Sequence, residues 1–297
     1  AQLQAAAQLP GPRWLGYSVA GVPGHRDGCG IAYLETGNTV TGEQTSPVME
    51  TARPLAILYR LDQGRVDHVR TFDLACEIDA GGMAVRWLDG VPPDQNASVL
   101  SSLADTAGSG ALAALGESDG PAAEAALEHF LEPSHADAIR RQAAFWLGST
   151  RGHAGFLALQ KVARTPGGSS DALRNRVTFA LSLSRDPDAL NELIRMAKSD
   201  PAPAVRGQAI FWLAQKADRK AIGAISDAVA NDPATSVKER AVFGLSQLPH
   251  GDGVPLLIQV AQSNSNPAVR KKAMFWLGQS KDPRALVFFE KVLEPKG

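Results

Sequence analysis

From residue 137 onward, apolar positions fall at helical spacing, and the pattern itself repeats. With Val269 as position zero, Ala273, Trp276 and Leu277 follow at +4, +7 and +8. Those slots share a helical face within about 100°. The same slots hold Ile139/Ala143/Trp146/Leu147, Leu173/Val177/Ala180/Leu181, Val205/Ala209/Trp212/Leu213 and Val237/Ala241/Gly244/Leu245. Each set is the buried stripe of one helix. A second helix opens soon after, at Asp186-Pro187, Asp218 and Asp282-Pro283, where Asp caps free amides and Pro suits the first turn. Gly152 and His250 break that register and give weaker starts. Second stripes follow in Ala221/Ile222/Ile225/Ala228/Val229 and Ala285/Leu286/Phe289/Val292/Leu293. The links back contain Asp200-Pro201, Asp232-Pro233 and Asn266-Pro267.

One aromatic marks the period. Phe145, Phe179, Phe211, Phe243 and Phe275 are separated by 34, 32, 32 and 32 residues, a period that signals stacked helical repeats. At +6 this Phe lies about 240° from position zero, away from the core stripe. The expected arrangement is a ring packed against the neighbouring first helix; the alternative is an apolar stripe open to a partner. Trp at +7 alternates with Ala180 and Gly244, the large–small pattern of close packing between repeats. Leu115-Gly116 stands 32 residues before Leu147-Gly148, so residues 105–133 read as a degenerate capping pair.

The segments share the pattern DP-x(2–4)-VR-x-x-A-x-x-x-LG, as in Asn266-Pro267-Ala268-Val269-Arg270 through Ala273 to Leu277-Gly278. Over residues 105–297 they resemble short bacterial HEAT repeats of the phycobilisome-lyase kind. The resemblance implies a mainly α fold: a right-handed α-α superhelix of five to six helix pairs. Deoxyhypusine hydroxylases resemble the chain in fold but carry repeated His-Glu pairs that bind two irons; no His-Glu dipeptide occurs here.

Residues 13–90 alternate with period two instead, in segments Trp14–Val19, Ile31–Glu35, Leu55–Leu61, Arg65–Phe72, Cys76–Asp79 and Met83–Leu88. Gly64 turns the clearest hairpin, and Asp79-Ala80-Gly81-Gly82 makes another turn. The polar, Thr- and Gly-rich residues 36–52 read as a mobile loop. The expected organisation is a small antiparallel β-rich unit over 1–97, a connecting helix near Ser98–Leu103 with the capping repeat over 98–136, and five repeats over 137–297. A β unit ending in DAGG-x-x-x-x-WL before FWL-type pairs is similar to exported proteins of environmental bacteria.

Charge changes the picture more than composition does. Residues 1–138 hold 7 Lys and Arg against 18 Asp and Glu, whereas residues 139–297 hold 23 against 13. The split suggests an acidic partner for the repeats, docking of the two halves, or simply solvated faces rich in Arg. The regular cations are Arg140, Arg174, Arg206, Lys238 and Arg270, with Arg141, Arg176, Arg240, Lys271 and Lys272 nearby. A structural ladder to acidic groups of their own or neighbouring repeats is the expected role. The rival is a phosphate-binding stripe, as the fold resemblance to HEAT-like alkylpurine DNA glycosylases implies.

Little else carries chemistry. The six histidines show no metal-ligand spacing, so no metal, cofactor or catalytic residue is expected. Gly24-His25-Arg26-Asp27-Gly28-Cys29-Gly30 lacks a nucleophile context and reads as a loop. Cys29 and Cys76 are the only cysteines; they suit one disulfide in an oxidising compartment or two buried thiols. With the Ala1-Gln2 start, they lead to the expectation of an exported chain, periplasmic or extracellular. No run of 18 apolar residues supplies a membrane-spanning helix. The functional expectation is a non-catalytic scaffold that binds protein partners with an acidic surface rather than nucleic acid, as an accessory subunit of a membrane-associated or cell-surface complex. The alternative is a nucleic-acid-binding or base-repair solenoid using the basic stripe. Phe145, Phe179, Phe211, Phe243 and Phe275, with Arg140, Arg174, Arg206, Lys238 and Arg270, are the candidate partner-binding residues.

Overall fold

The computed structural model describes residues 11–23, 30–37, 39–40, 53–105, 109–216 and 218–294. The chain divides into two compact units, residues 1–158 and 159–297. Among the described residues, no helix is long and apolar enough to cross a membrane.

The first unit begins with strands β1 (Arg13–Ala20), β2 (Ile31–Tyr33), β3 (Thr39–Val40), β4 (Pro54–Asp62), β5 (Arg65–Asp73), β6 (Glu77–Asp79) and β7 (Val85–Trp87). They form two sheets, ordered β5-β4-β1-β7 and β3-β2-β6. The expected antiparallel arrangement describes the β5-β4-β1 core, while β7 joins β1 and β6 joins β2 in parallel. The sheets are therefore mixed. The β4–β5 hairpin turns on Gln63 and Gly64, both at positive φ (47° and 77°), which matches the right-handed twist of its strands. Residues 41–52 of the expected loop lie outside the described residues; β3 takes two residues of that loop's first part.

Alternation puts both faces of the larger sheet under cover. Trp14, Ala56, Leu58 and Phe72 pack with Ala32 of the smaller sheet and with Leu34 and Cys76 at the ends of its strands. On the other face Tyr17 and Tyr59 hydrogen-bond to each other, and Tyr17 Oη donates to Asn96 Oδ1 at 2.8 Å. Asn96 belongs to α1 (Pro93–Leu103) and passes a bond on to Ser118 Oγ at 3.1 Å. Burial pushes both tyrosine hydroxyls well above their usual range, so they stay protonated donors. Two short helices follow, α2 (Ser109–Glu117) and α3 (Pro121–His129), in the place of the degenerate pair.

Five helix pairs then run to the end: α4 (Asp137–Thr150) and α5 (Gly152–Arg164), α6 (Asp171–Leu183) and α7 (Ala189–Ser199), α8 (Pro203–Lys216) and α9 (Arg219–Asn231), α10 (Thr235–Ser246) and α11 (Gly253–Ser263), α12 (Pro267–Gln279) and α13 (Pro283–Leu293). In the second unit α6, α8, α10 and α12 pack side by side in that order. The stripe is buried at Leu173, Val177, Val205, Ala209, Leu213, Val269, Ala273 and Leu277, but Ile139 and the +7 residues Trp146, Trp212 and Trp276 stay half-buried. In α13 the expected stripe fails, because no following pair covers this helix among the described residues. Leu286, Val292 and Leu293 are exposed there, while Phe288 is buried. Ser170, Asp218, Asn266 and Asp282 accept capping bonds from amides two or three residues on. Eight residues after each core Leu stands a small residue: Gly155, Ala189, Ala221, Gly253 or Ala285. A Cβ on Gly155 or Gly253 would lie 2.0 Å or 1.8 Å from the carbonyl oxygen of Leu147 or Leu245. The small side chain lets each second helix cross directly over the end of the first.

Candidate functional site

Two rows run along the first helices, one of arginines and one of rings. The arginine one residue after position zero points into the links between pairs. Arg206 Nε and Nη2 donate to both oxygens of Asp232 at 2.8 and 2.9 Å, and its Nη1 donates to the Asp200 carbonyl at 2.9 Å. Arg174 repeats this with Asp200 at 2.8 and 3.2 Å and with the Ser169 carbonyl at 2.7 Å. The same aspartates accept from the amides of Ala202 and Ala234, turning the chain into the next first helix. One carboxylate thus ends a link and holds the preceding repeat's guanidinium in two parallel bonds. Hydrogen bonds to Asp200 and Asp232 push the guanidinium groups of Arg174 and Arg206 up from their ordinary value, so both are permanently charged.

The row weakens towards its ends. Arg140 donates from Nε to the Leu131 carbonyl at 2.9 Å. Lys238 reaches the Ala230 carbonyl, and Arg270 the Asn264 carbonyl, at 2.9 and 2.8 Å. Asn264 stands 32 residues after Asp232, so the link into α12 lacks the carboxylate. Arg140, Arg174 and Arg206 are buried, and the last two have their fork occupied by carboxylate. The phosphate-backbone reading needed these cations in water and loses them here.

Phe179, Phe211, Phe243 and Phe275 of the second unit form the second row, and Phe145 holds the same slot on α4 of the first. Phe179 on α6 lies 4.8 Å from the Trp212 ring on α8, and Phe243 on α10 lies 5.1 Å from Trp276 on α12. Within their own helices Phe145, Phe211 and Phe275 meet Trp146, Trp212 and Trp276 edge-on at 4.9, 4.9 and 5.1 Å. The indole Nε1 atoms of Trp212 and Trp276 are buried with no acceptor, so packing alone holds these rings. Rings therefore interlock across alternate steps, yet the row is not sealed. Phe145, Phe179, Phe211 and Phe243 are half-buried, and Phe275 is 53% exposed.

Cations cover this edge. Arg176 sits 5.1 Å from the Phe179 ring centre, and Lys272 sits 5.8 and 5.9 Å from those of Phe275 and Trp276. Arg240 is exposed and lies across Gly207, where a Cβ would come within 3.1 Å of its Cδ. Each of these cations stands three residues after position zero. The spacing alone does not separate them from the ladder arginines; burial does.

One further buried arginine stands four residues after the core Leu147, a slot that holds Arg185 and Lys281 in later repeats. Arg151, at the end of α4, is buried and donates from Nη2 to the Ser118 and Leu115 carbonyls at 2.6 and 2.7 Å. It caps the C-terminal end of α2, where orphan carbonyls gather. Burial lowers its affinity for a proton, offset by the charges of Glu124 and Asp119. Cys76 is buried against the sheet core, and Cys29 lies outside the described residues.

Residues 222–296 match the family of HEAT repeats. Among solved structures the chain is similar to human deoxyhypusine hydroxylase in complex with glycerol, at 17% identity and a TM-score of 0.34, over 69% of this chain and 91% of that one. It is also similar to the complex of CpcE and CpcF of phycocyanin lyase from Nostoc sp., at 22% identity and a TM-score of 0.39, over 54% of this chain and 99% of that one. No curated protein sequence matches at a significant level. Residues 222–296 thus carry HEAT repeats. The expectation of a non-catalytic chain does not stand, because these fold neighbours include a hydroxylase and a lyase.

Proposed function

We propose that the repeats act as a scaffold and that their first helices bind an acidic segment of a protein partner. The observation that carries this reading is the half-open aromatic row with Arg176 and Lys272 lying over its rings. Apolar anchors beside half-buried cations suit a chain that presents Asp or Glu next to a large apolar side chain. The ladder residues Arg174 and Arg206 hold the face in shape, while Phe275, Lys272 and Arg240 offer it. The proposed setting is a subunit of a membrane-associated or cell-surface complex, periplasmic or extracellular, with a Cys29–Cys76 disulfide.

A displayed peptide library tests the binding. Wild-type protein should enrich acidic peptides with an apolar anchor, and Lys272→Glu with Phe275→Ser should lose them at unchanged melting temperature. Enrichment of basic or purely polar peptides, or the same selection by the folded double variant, overturns the reading. For the disulfide, intact mass without reductant should fall two hydrogens short of the reduced chain; two alkylatable thiols in the denatured protein would remove both the bridge and the oxidising compartment.

A further inference from the structure

Ion pairs tie the second helices together at the steps from α5 to α7 and from α7 to α9, and among the described residues none does so from α9 to α11. Glu192 on α7 is buried and accepts from Arg164 of α5 at 2.8 Å. Lys198 on α7 pairs with Asp227 on α9 at 3.0 Å. At the next step, 32 residues on, those two positions are Ala230 on α9 and Gln259 on α11. Both line an open groove of about 330 Å³ between α9 and α11. The change removes an ion pair and the long lysine side chain from the same place, and the space above Ala230 is left open beside Gln259.

The walls state what fits. The floor is apolar, from Val229, Leu245, Leu256 and Val260. The rim carries neutral hydrogen-bonding groups, from Ser226, Gln259, Ser263 and Ser265. No charged side chain lines the groove. The side chain of Asn264 closes one end by donating to the Val229 carbonyl at 3.2 Å. A charged group would lose its water here without a partner, whereas an aliphatic side chain flanked by amides would find apolar contact below and donors and acceptors above. The volume lies at the small end of ligand sites.

We propose that this groove is a second binding site, which takes one aliphatic side chain of an uncharged, extended peptide segment from a partner protein. It lies on the second helices and does not depend on the aromatic row of the first.

N-acetyl-leucinamide is the probe, followed by amide and methyl shifts of the full chain in solution. It should bind wild type with a dissociation constant on the order of millimolar, shifting Ala230 and the Gln259 side-chain amide. N-acetyl-aspartamide, its charged counterpart, should not. Ala230→Lys with Gln259→Asp restores the pair of the preceding step and should abolish leucinamide binding while the protein keeps or gains thermal stability. Ala230→Gln, a helix-compatible single change that fills part of the groove, should weaken binding several-fold if the double variant does not fold. No shift with leucinamide in wild type overturns the proposal. So does equal binding of the charged probe, or undiminished binding in a folded variant.

Discussion

Gly116 lies beneath the Trp146 indole, where an added Cβ would come within 2.1 Å of the ring. Helix propensity alone favours Ala over Gly by about 1 kcal/mol, but a methyl forced into packed atoms costs about 1–3 kcal/mol. The clash is with the inner atoms of a ring that cannot swing aside, so Gly116→Ala should lower stability by about 1–2 kcal/mol net. Chemical denaturation measures it, and a stabilised variant would show that Trp146 is free to move. The ladder makes a second comparison. Arg206 is buried and bound in both arms to Asp232, so Arg206→Ala strands a buried carboxylate and should cost about 3 kcal/mol. Lys238 ends on one carbonyl at the surface, and Lys238→Ala should cost less than about 1 kcal/mol. Equal losses would mean that the aspartate contributes no more than a backbone acceptor does.

At the scale of elements, each helix pair is set by a stripe, a small crossing residue and a cap. The cap of α13 responds to pH. Hydrogen bonds from Arg284, side chain first and backbone second, hold the Asp282 carboxyl down at about 2 against an ordinary 3.8. A depressed folded value means stability that is full above the unfolded value and is lost as pH falls from about 4 through about 2. The difference in melting temperature between wild type and Asp282→Ala should therefore be constant from pH 7 to 5 and narrow below about 4. A gap that widens in acid would show that another group governs this end. The caps at Asn266 and Asp282 were legible in the sequence as Asn-Pro and Asp-Pro pairs, and Asp218 by its register. Ser170 was not, and Asp186-Pro187 stands just before α7 without capping it. The mixed sheets were not, because period-two alternation marks a strand but not the direction of its neighbour.

Across the molecule, stability should fall off along the second unit. Val205, Ala209 and Leu213 of α8 are fully buried, whereas α13 leaves Leu286, Val287, Val292 and Leu293 at 50–78% exposure. In a repeat array each pair is held by its neighbours, so α13 opens at lower cost than α8. Its amides should exchange at least about tenfold faster in native-state hydrogen exchange. Uniform protection from α8 to α13 would show that the array opens only as a whole.

The sequence by itself determined the repeat, its period, the buried stripe and the β-rich start, because burial of an amphipathic face leaves a mark at every turn. It also placed the Phe off that face, at +6. Only the tertiary structure decided which cations are committed and which are offered: Arg206 and Lys272 are both basic residues near the same helix start. One meets a buried carboxylate from the next link, and the other lies over a ring beside solvent. The groove between α9 and α11 needed both levels, since Ala230 and Gln259 are unremarkable until the Lys198–Asp227 pair shows what stands at those positions one repeat earlier. Side chains from different repeats decide these points, and no single helix contains them.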